Sequence, residues 1–470
     1  MNEIIYPLAV IGGGSAGIGA ALAAARLGVE TVLIERDGML GGTAVNAGVS
    51  CWEPVAGATG IPFDIYRELE KIPGAAGIYS MGRHCCHPVH NEPPFPGGES
   101  IIDPQRNYSD TLLRCGTKGI VADAGRVRAQ LHGVIFEPDI YAATVQRMLL
   151  DTGRARILLN RTVTAVHKES IDRIDAVTLD DSTVIRARYW IDACGALARL
   201  SGAECLAGED AAGEFQEPDA PQKPSSKLNG VTLIFRITPD KQAAVEPLPP
   251  DVPESCWWRK DFPVMSCVEY PNGGRNCNML PLMSGEEYLA LGEDIALTEC
   301  RRRVLACWHH LQRDYPEFRF FRLQWVAPRI GVRETFRIKC EYMLNENDLL
   351  QGISGQTHDD IIAISDHMMD VHGGSRKAFG ELQQPYGIPY RCLIPLGMSN
   401  LLVAGRIAGF SSIAASSCRL SRTMMQLGQA AGSAAALSLE TSCRFPEINI
   451  GQLRRSLLTQ NVRLTLTMKN

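Results

Sequence analysis

No Cys-x-x-Cys pair occurs among the 15 cysteines of this 470-residue chain. The usual ligand spacing of a thioredoxin-type redox pair, a zinc site or an iron–sulfur cluster is therefore missing. The count is odd and the positions are scattered, so the thiols read as buried and reduced. The densest spot, His84-Cys85-Cys86-His87 with His90 nearby, sets ligand types side by side where a tetrahedral metal needs them separated; it reads as a pocket-lining loop, and no metal is expected. No uninterrupted apolar run reaches the about 18 residues of a spanning helix. Met1 runs straight into the first strand, with no room for a secretory leader, and the expectation is a soluble, cytoplasmic protein without membrane contact. Charge of one sign is also lacking. Forty-seven basic residues against 52 acidic ones leave a net charge of −5, which offers no general attraction for nucleic acid. Neither an internal repeat nor a low-complexity segment is present.

What the chain does have is a strand and a turn at its start. Leu8-Ala9-Val10-Ile11 is a short buried strand, Gly12, Gly14 and Gly17 follow at the spacing of a dinucleotide-binding turn with Ser15 and Ala16 between them, and the alanine-rich run 20–27 reads as a tightly packed helix. Gly12 permits the turn, Gly14 lets backbone approach a pyrophosphate, and Gly17 lets helix and strand pack closely. The helix N-terminus then faces the phosphates. Gly28 ends the helix, and a second apolar strand over 31–34 finishes at Glu35, 18 residues beyond Gly17. An acid near that distance accepts the hydroxyls of an adenosine ribose.

A second glycine cluster, Gly38, Gly41, Gly42 and Gly48, follows at once and reads as backbone running against a flat ligand. The spacing predicts a helix over 65–72 and an irregular covering loop over 73–107, rich in Gly, Pro and His. A helix with Pro138 at its first position runs to Leu150. Short strands at 155–159, 162–166, 175–179 and 183–187 suggest an antiparallel ribbon. Residues 189–195 read as a buried strand ending in small residues. Composition shifts between 209 and 227, a boundary beyond which come a strand at 231–237 and a helix at 298–312. Residues 329–338 carry three arginines and a carboxylate, read as a charged strand. Leu401 to Arg406 is an apolar strand ending in glycine, and 417–437 is a long helix full of small residues.

Gly12 to Gly17, Glu35-Arg36, Gly41-Gly42-Thr43, Asp192-Ala193-Cys194-Gly195, Leu401 to Arg406 and Leu427-Gly428-Gln429-Ala430-Ala431-Gly432 resemble, in order and over nearly the whole chain, the FAD-dependent oxidoreductases with a glutathione-reductase-type flavin fold. The resemblance implies an α/β fold: a Rossmann-like FAD-binding domain, with a parallel sheet plus an antiparallel ribbon, and a second α+β substrate or cap domain. The expected division is 1–208 for the first part of the FAD domain, including a covering loop 50–115, then 209–384 for the cap and 385–470 for the returning strand and helix. It further implies that Gly12, Gly14, Ser15, Ala16 and Gly17 hold the FAD pyrophosphate and Glu35-Arg36 the adenosine ribose. Val163 would pair with adenine, while Gly41, Gly42, Thr43, Ala47 and Gly48 approach the pyrophosphate and isoalloxazine. Gly405 and Arg406 would sit by the ribityl chain, and Ala193 and Gly195 would lie at the cofactor's edge. Gly428, Gln429 and Ala430 would point N–H groups at the flavin carbonyl near N1, where negative charge grows on reduction. Similar sequences often carry threonine where Cys194 stands, many carry histidine where Ser412 stands, and many carry arginine where Phe336 stands. If that histidine is the family's base, this chain uses another group.

A flavin oxidoreductase needs a base and cations beside the substrate. Arg333 and Arg391 are the candidate anchors, suited to a carboxylate, enolate or hydroxyl-rich substrate. His372 is the candidate base, with Tyr390 as the alternative. No second Gly-x-Gly-x-x-Gly follows Gly17, so a separate nicotinamide domain is not expected. The expectation is a dehydrogenase or oxidase that moves a hydride from a small hydroxyl- or carbonyl-bearing substrate to flavin N5 and passes electrons to oxygen, a quinone or a protein, with the oligomeric state left open. The alternative is a flavin-binding electron-transfer subunit without its own small substrate.

Overall fold

Nine residues form β1 (Glu3–Ile11), whose last four side chains are buried. A run of Leu, Ala, Val and Ile without alternation suits a strand covered on both faces, as parallel sheets are. The computed structural model describes residues 3–85, 95–116, 123–242, 244–373 and 379–465. In it β1 lies between two parallel neighbours, β2 (Thr31–Ile34) and the Val184–Asp192 strand. Ala155–Leu158 extends the sheet beyond β2, again parallel. The 183–187 and 189–195 stretches, expected as separate strands, are one nine-residue strand that, besides β1, serves two further partners. Its first three residues pair antiparallel with Arg173–Leu179, and its last three pair parallel with Leu401–Val403. That fork joins the parallel sheet to the antiparallel ribbon of Val163–Ser170 and Arg173–Leu179. The fold is α/β and Rossmann-like, with a second sheet beside it.

The second sheet has eight strands, in the order Phe321–Val326, Phe235–Pro239, Arg275–Leu280, Val264–Glu269, Gly97–Ile102, Ala76–Arg83, His132–Phe136 and Cys51–Trp52. All pairs are antiparallel except Val264–Glu269 with Gly97–Ile102. The expected covering loop over 73–107 therefore contains two strands, and the 50–115 stretch contributes to the second sheet rather than only to the FAD-binding part. Gly97 and Gly98 lie within the sheet. A Cβ at Gly97 would lie 2.0 Å from the Met265 carbonyl oxygen, and one at Gly98 would lie 2.7 Å from the Cys85 nitrogen. These glycines allow backbones to approach and do not mark a loop. The Glu293–Asp314 helix covers this sheet with Cys300, Val304, Cys307 and Trp308. Cys86 to His90 lie outside the described residues. Only Arg337–Ile338 of the expected 329–338 strand is extended in a sheet. Its other charged groups are individually engaged, Arg329 with Asp37 and Glu293, and Glu334 with Asn229 and Arg337.

Helix α1 (Ser15–Arg26) packs backbone to backbone on the Ser421–Thr441 helix. A Cβ at Gly428 would lie 1.9 Å from the Ala16 carbonyl oxygen, one at Gly432 would lie 2.1 Å from that of Ala20, and one at Gly19 would lie 2.3 Å from that of Met425. Among the described residues no helix is long and apolar enough to cross a membrane. Gly428→Ala forces the two helices apart and is expected to cost about 1–3 kcal/mol, typical of overpacking. Urea unfolding of the variant reads this as a lower midpoint, and an unchanged midpoint contradicts the packing described.

Candidate cofactor cleft and adjoining polar cluster

Parallel strands deliver their C-terminal ends to one edge of the first sheet, the edge at which ligands bind in open α/β folds. Gly12 follows β1 at φ +96° and donates its N–H to the Ile34 carbonyl at 2.8 Å. A Cβ at Gly17 would lie 1.7 Å from the Gly12 oxygen, so this turn closes only with glycine. Gly14 differs. The one atom near its would-be Cβ is the Gly42 Cα at 3.9 Å, so its face is open. Gly41, at φ +119°, donates to the Gly13 carbonyl at 2.9 Å, and the two glycine turns meet without side chains between them. Between them opens the N-terminus of α1. Gly14 supplies no side-chain cap, and the first intrahelical bond is from the Ile18 N–H to the Gly14 carbonyl, which leaves the N–H groups of Ser15, Ala16 and Gly17 to an external acceptor.

Around this opening, Glu35 accepts the N–H groups of Gly13 at 2.5 Å and Asp37 at 2.8 Å. Burial raises its pKa against those two hydrogen bonds. A carboxylate has about four acceptor positions, so two backbone bonds leave capacity for hydroxyls. Arg36 points to the surface near Asp37 and Glu293. Val163 is buried at the start of the ribbon, paired with Leu179. Ala193 donates its N–H to the Ile11 carbonyl at 2.8 Å, and Asp192, wholly buried, accepts from the N–H groups of Cys194, Gly195 and Ala198. Burial raises the Asp192 carboxyl and pushes the Cys194 thiol far up, although Cys194 keeps open surface beside Gly12. Cys194 is thus accessible at the strand ends, with its charged form disfavoured by the surrounding protein. Arg406 has the same character: it is accessible, yet burial and the charge of Arg419 lower its pKa to about 10. Its guanidinium donates to Thr43 Oγ1 at 3.1 Å and to the Val332 carbonyl. Gly405, at φ +93°, packs against Ala16. Ala47 is buried, and Gly48 fits against Trp325 and Ile234 of the second sheet while its carbonyl accepts from Asn276 at 2.8 Å. An uncapped helix N-terminus, two bare glycine turns and an enclosed arginine suit the pyrophosphate of a dinucleotide.

Toward the second sheet the cleft meets a cluster of charged groups. His372 Nε2 lies 2.9 Å from Asp370 Oδ2, which also takes Arg419 at 2.6 Å. Burial, then the charge of Arg333, lowers the His372 pKa to about 4 despite Asp370, so the imidazole is neutral at pH 7. Burial opposes ionisation of Asp370, but the His372 hydrogen bond and Arg419 outweigh it and hold the carboxyl far below its usual range. A neutral ring beside an ionised carboxylate carries its proton on Nε2, leaving the basic lone pair on Nδ1. Arg333 donates to the Gly230 carbonyl at 2.6 Å. Burial, then Arg419, lowers its pKa to about 10. Further out, Glu53 Oε2 lies 3.5 Å from His367 Nε2 and 3.7 Å from Arg114. Burial raises Glu53, but His367 and Arg114 prevail and hold it at about 2.

His372 and Arg333 are thus brought together, and the other two candidates are not. Tyr390 is in the core, its hydroxyl donating to the Phe445 carbonyl at 3.2 Å, and burial drives its pKa far up. Arg391 pairs with Asp360 at 3.0 Å and lies over the Tyr342 ring, away from this cluster. Gly428, Gln429 and Ala430 do not offer donors to a flavin. They lie well inside the Ser421–Thr441 helix, where N–H groups bond within the helix, and Gln429 spends its side chain on Ile61 and Gln460. The open donors of that helix are those of its first turn, beside Arg419. Ser412 is buried and tied to Asp210 through both its N–H and its hydroxyl, and Phe336 packs against Gly195 under Arg199. Asp370, Arg419 and Glu53 were not singled out from the sequence. Asp370 had a signal in its i, i+2 spacing to His372, whereas Glu53 and Arg419 come from remote segments. Among the described residues no group of three or more His, Cys, Asp or Glu is arranged to hold a metal.

A stretch of 75 residues is 37% identical to dihydrolipoyl dehydrogenase of Trypanosoma brucei brucei and covers only 16% of each chain. The geranylgeranyl bacteriochlorophyll reductase-like protein of Thermoplasma acidophilum is 11% identical, covering 98% of this chain and 85% of that one with a TM-score of 0.48. A flavoprotein/dehydrogenase of Cytophaga hutchinsonii is 12% identical, covering 97% and 83% with a TM-score of 0.46. Residues 7–457, nearly the whole chain, match the family described as FAD dependent oxidoreductase. The chain belongs to that family: it is an enzyme, an oxidoreductase with FAD as its cofactor.

Proposed function

We propose that this enzyme oxidises a small hydroxyl-bearing organic substrate, with His372 taking the hydroxyl proton and Arg333 steadying the oxygen as negative charge develops on it. The observation that carries the reading is the Asp370–His372 pair, enclosed beside an arginine and oriented so that Nδ1 is the basic atom. In this reading the N–H groups at the start of α1 and the Gly41–Thr43 turn hold the FAD pyrophosphate, Glu35 the ribose hydroxyls, and Arg406 the phosphate and ribityl side. Donors at the start of the Ser421–Thr441 helix meet the flavin carbonyl. Bound FAD supplies the oxidising power, accepting a hydride from a substrate carbon. Asp370 fixes the ring tautomer and stabilises the imidazolium once His372 is protonated. Arg419 keeps Asp370 ionised, and the burial of the cluster strengthens each of these interactions.

Two experiments check this reading. A Cβ at Gly14 meets only the Gly42 Cα at 3.9 Å, so Gly14→Val is expected to keep its fold by circular dichroism while losing the flavin absorbance of the purified protein; retained flavin contradicts the assignment of this face. His372 is active as a base only when neutral, so kcat/KM is expected to be flat through neutrality and to fall as pH drops through about 4. His372→Gln is expected to lower kcat by about 10²- to 10⁴-fold, the usual worth of a positioned base. An acid limb near 6.5, or an unchanged kcat in the variant, contradicts the role.

A further inference from the structure

One cation in the cluster forms no ion pair among the described residues, although the charges of Asp370 and Glu53 act on it. Arg419 is paired with Asp370, Arg114 faces Glu53, and Arg337 is paired with Asp210 and Glu334. Arg333 donates to one backbone carbonyl, and among the described residues it forms no ion pair. Arg406 is similar, but it sits on the Thr43 side, next to the phosphate turns. Arg333 is tied to the opposite side. The Gly230 carbonyl that it binds belongs to a residue whose N–H donates to the His372 carbonyl at 2.8 Å, and the His372 N–H in turn donates to Asn229 Oδ1 at 2.8 Å. The Arg333 guanidinium and the His372 backbone are therefore tied to one two-residue stretch, Asn229-Gly230, and the charge of Arg333 acts on the imidazole.

An enclosed guanidinium with spare donors matches the two oxygens of a carboxylate. Resting on the reading of His372 as base, we propose that the substrate is a 2-hydroxy carboxylate whose carboxylate is held by Arg333 and whose C2 hydroxyl meets His372 Nδ1. In the proposed complex the anion and the oxidised carbon are neighbours, because the two groups that would meet them are tied to adjacent residues. Oxidation breaks the O–H bond, whose proton passes to Nδ1, and the C2–H bond, whose hydride takes two electrons to FAD, leaving a 2-oxo acid. Glu53, whose charge also acts on Arg333, is already engaged by His367 and Arg114. A second carboxylate on the substrate would meet it, so the site favours monocarboxylates. Neutralising Arg333 also removes one of the charges that hold the His372 pKa down, which makes the imidazole a stronger base once the anion is bound.

The test uses the FAD-loaded protein and reads perturbation of the flavin absorption band on titration with oxamate and with 2-oxo monocarboxylates from glyoxylate to phenylpyruvate, each beside its neutral amide. At least one acid is expected to bind saturably, with its amide about 10- to 100-fold weaker, the range of a charge-assisted hydrogen-bonded contact. Arg333→Met is expected to lose affinity for that acid by a similar factor, with Arg333→Lys recovering part of it. The inference is overturned if no acid perturbs the band, if acid and amide bind alike, or if Arg333→Met binds as the unaltered protein does. Should Arg333→Met lose FAD, the acid–amide comparison and Arg333→Lys decide. His372→Gln separates the two claims: intact, Arg333-dependent acid binding in a fully active His372→Gln would sink the base and leave the carboxylate site standing.

Discussion

The structure depends on backbone meeting backbone where no side chain intervenes. Gly17 seals the first turn against Gly12, Gly428 and Gly432 bring the last long helix onto the carbonyls of α1, and Gly42 closes on Gly14 from the other side. Close packing makes each of these contacts intolerant of even a methyl group. The consequence is positional. Chain segments separated by some 400 residues of sequence are held at one edge of one sheet, and the only open face among these glycines, that of Gly14, is the one that opens on the cofactor cleft.

Electrostatics then divides the cleft in two. On the phosphate side the helix N-terminus and Arg406 supply positive potential with no acid in the first turn of α1 to cancel it. On the other side the charges are paired: Arg419 with Asp370, Arg114 with Glu53, and His372 kept neutral between a carboxylate and Arg333. Buried charges persist when paired and hydrogen-bonded. A neutral imidazole and an unpaired guanidinium within such a cluster are the groups left available for chemistry.

The first sheet was legible in the sequence because its signals are local. A buried apolar strand, glycines at fixed spacing and an acid at the next strand end all lie within 35 residues, and the structure puts Gly12, Gly14, Gly17, Glu35, Gly41, Gly42 and Arg406 around one opening. The second sheet was not legible, since its strands come from 51–136 and 235–326 and use glycine for close approach, which in composition looks like loop. Gly428 to Ala430 were misjudged for a related reason. Small residues in a helix mark where another backbone passes, here that of α1, and the helix start that carries open donors is not visible in a pattern of alanines and glycines. Among the candidate catalytic groups, His372 and Arg333 share a frame made by Asn229 and Gly230, more than 100 residues away from either. Tyr390 and Arg391 were plausible by residue type alone, and burial and pairing with Asp360 remove them.

The most direct measurement of the account is amide hydrogen exchange, read by mass spectrometry, with and without FAD. Protection is predicted at Ser15 to Gly17, at Gly41 to Thr43 and at the first turn of the Ser421–Thr441 helix, with no added protection at Gly428 to Ala430, which are already bonded within the helix. Protection that spares the start of α1 and the Gly41 turn, or that appears only at other edges of the two sheets, would contradict the cleft as the seat of the cofactor.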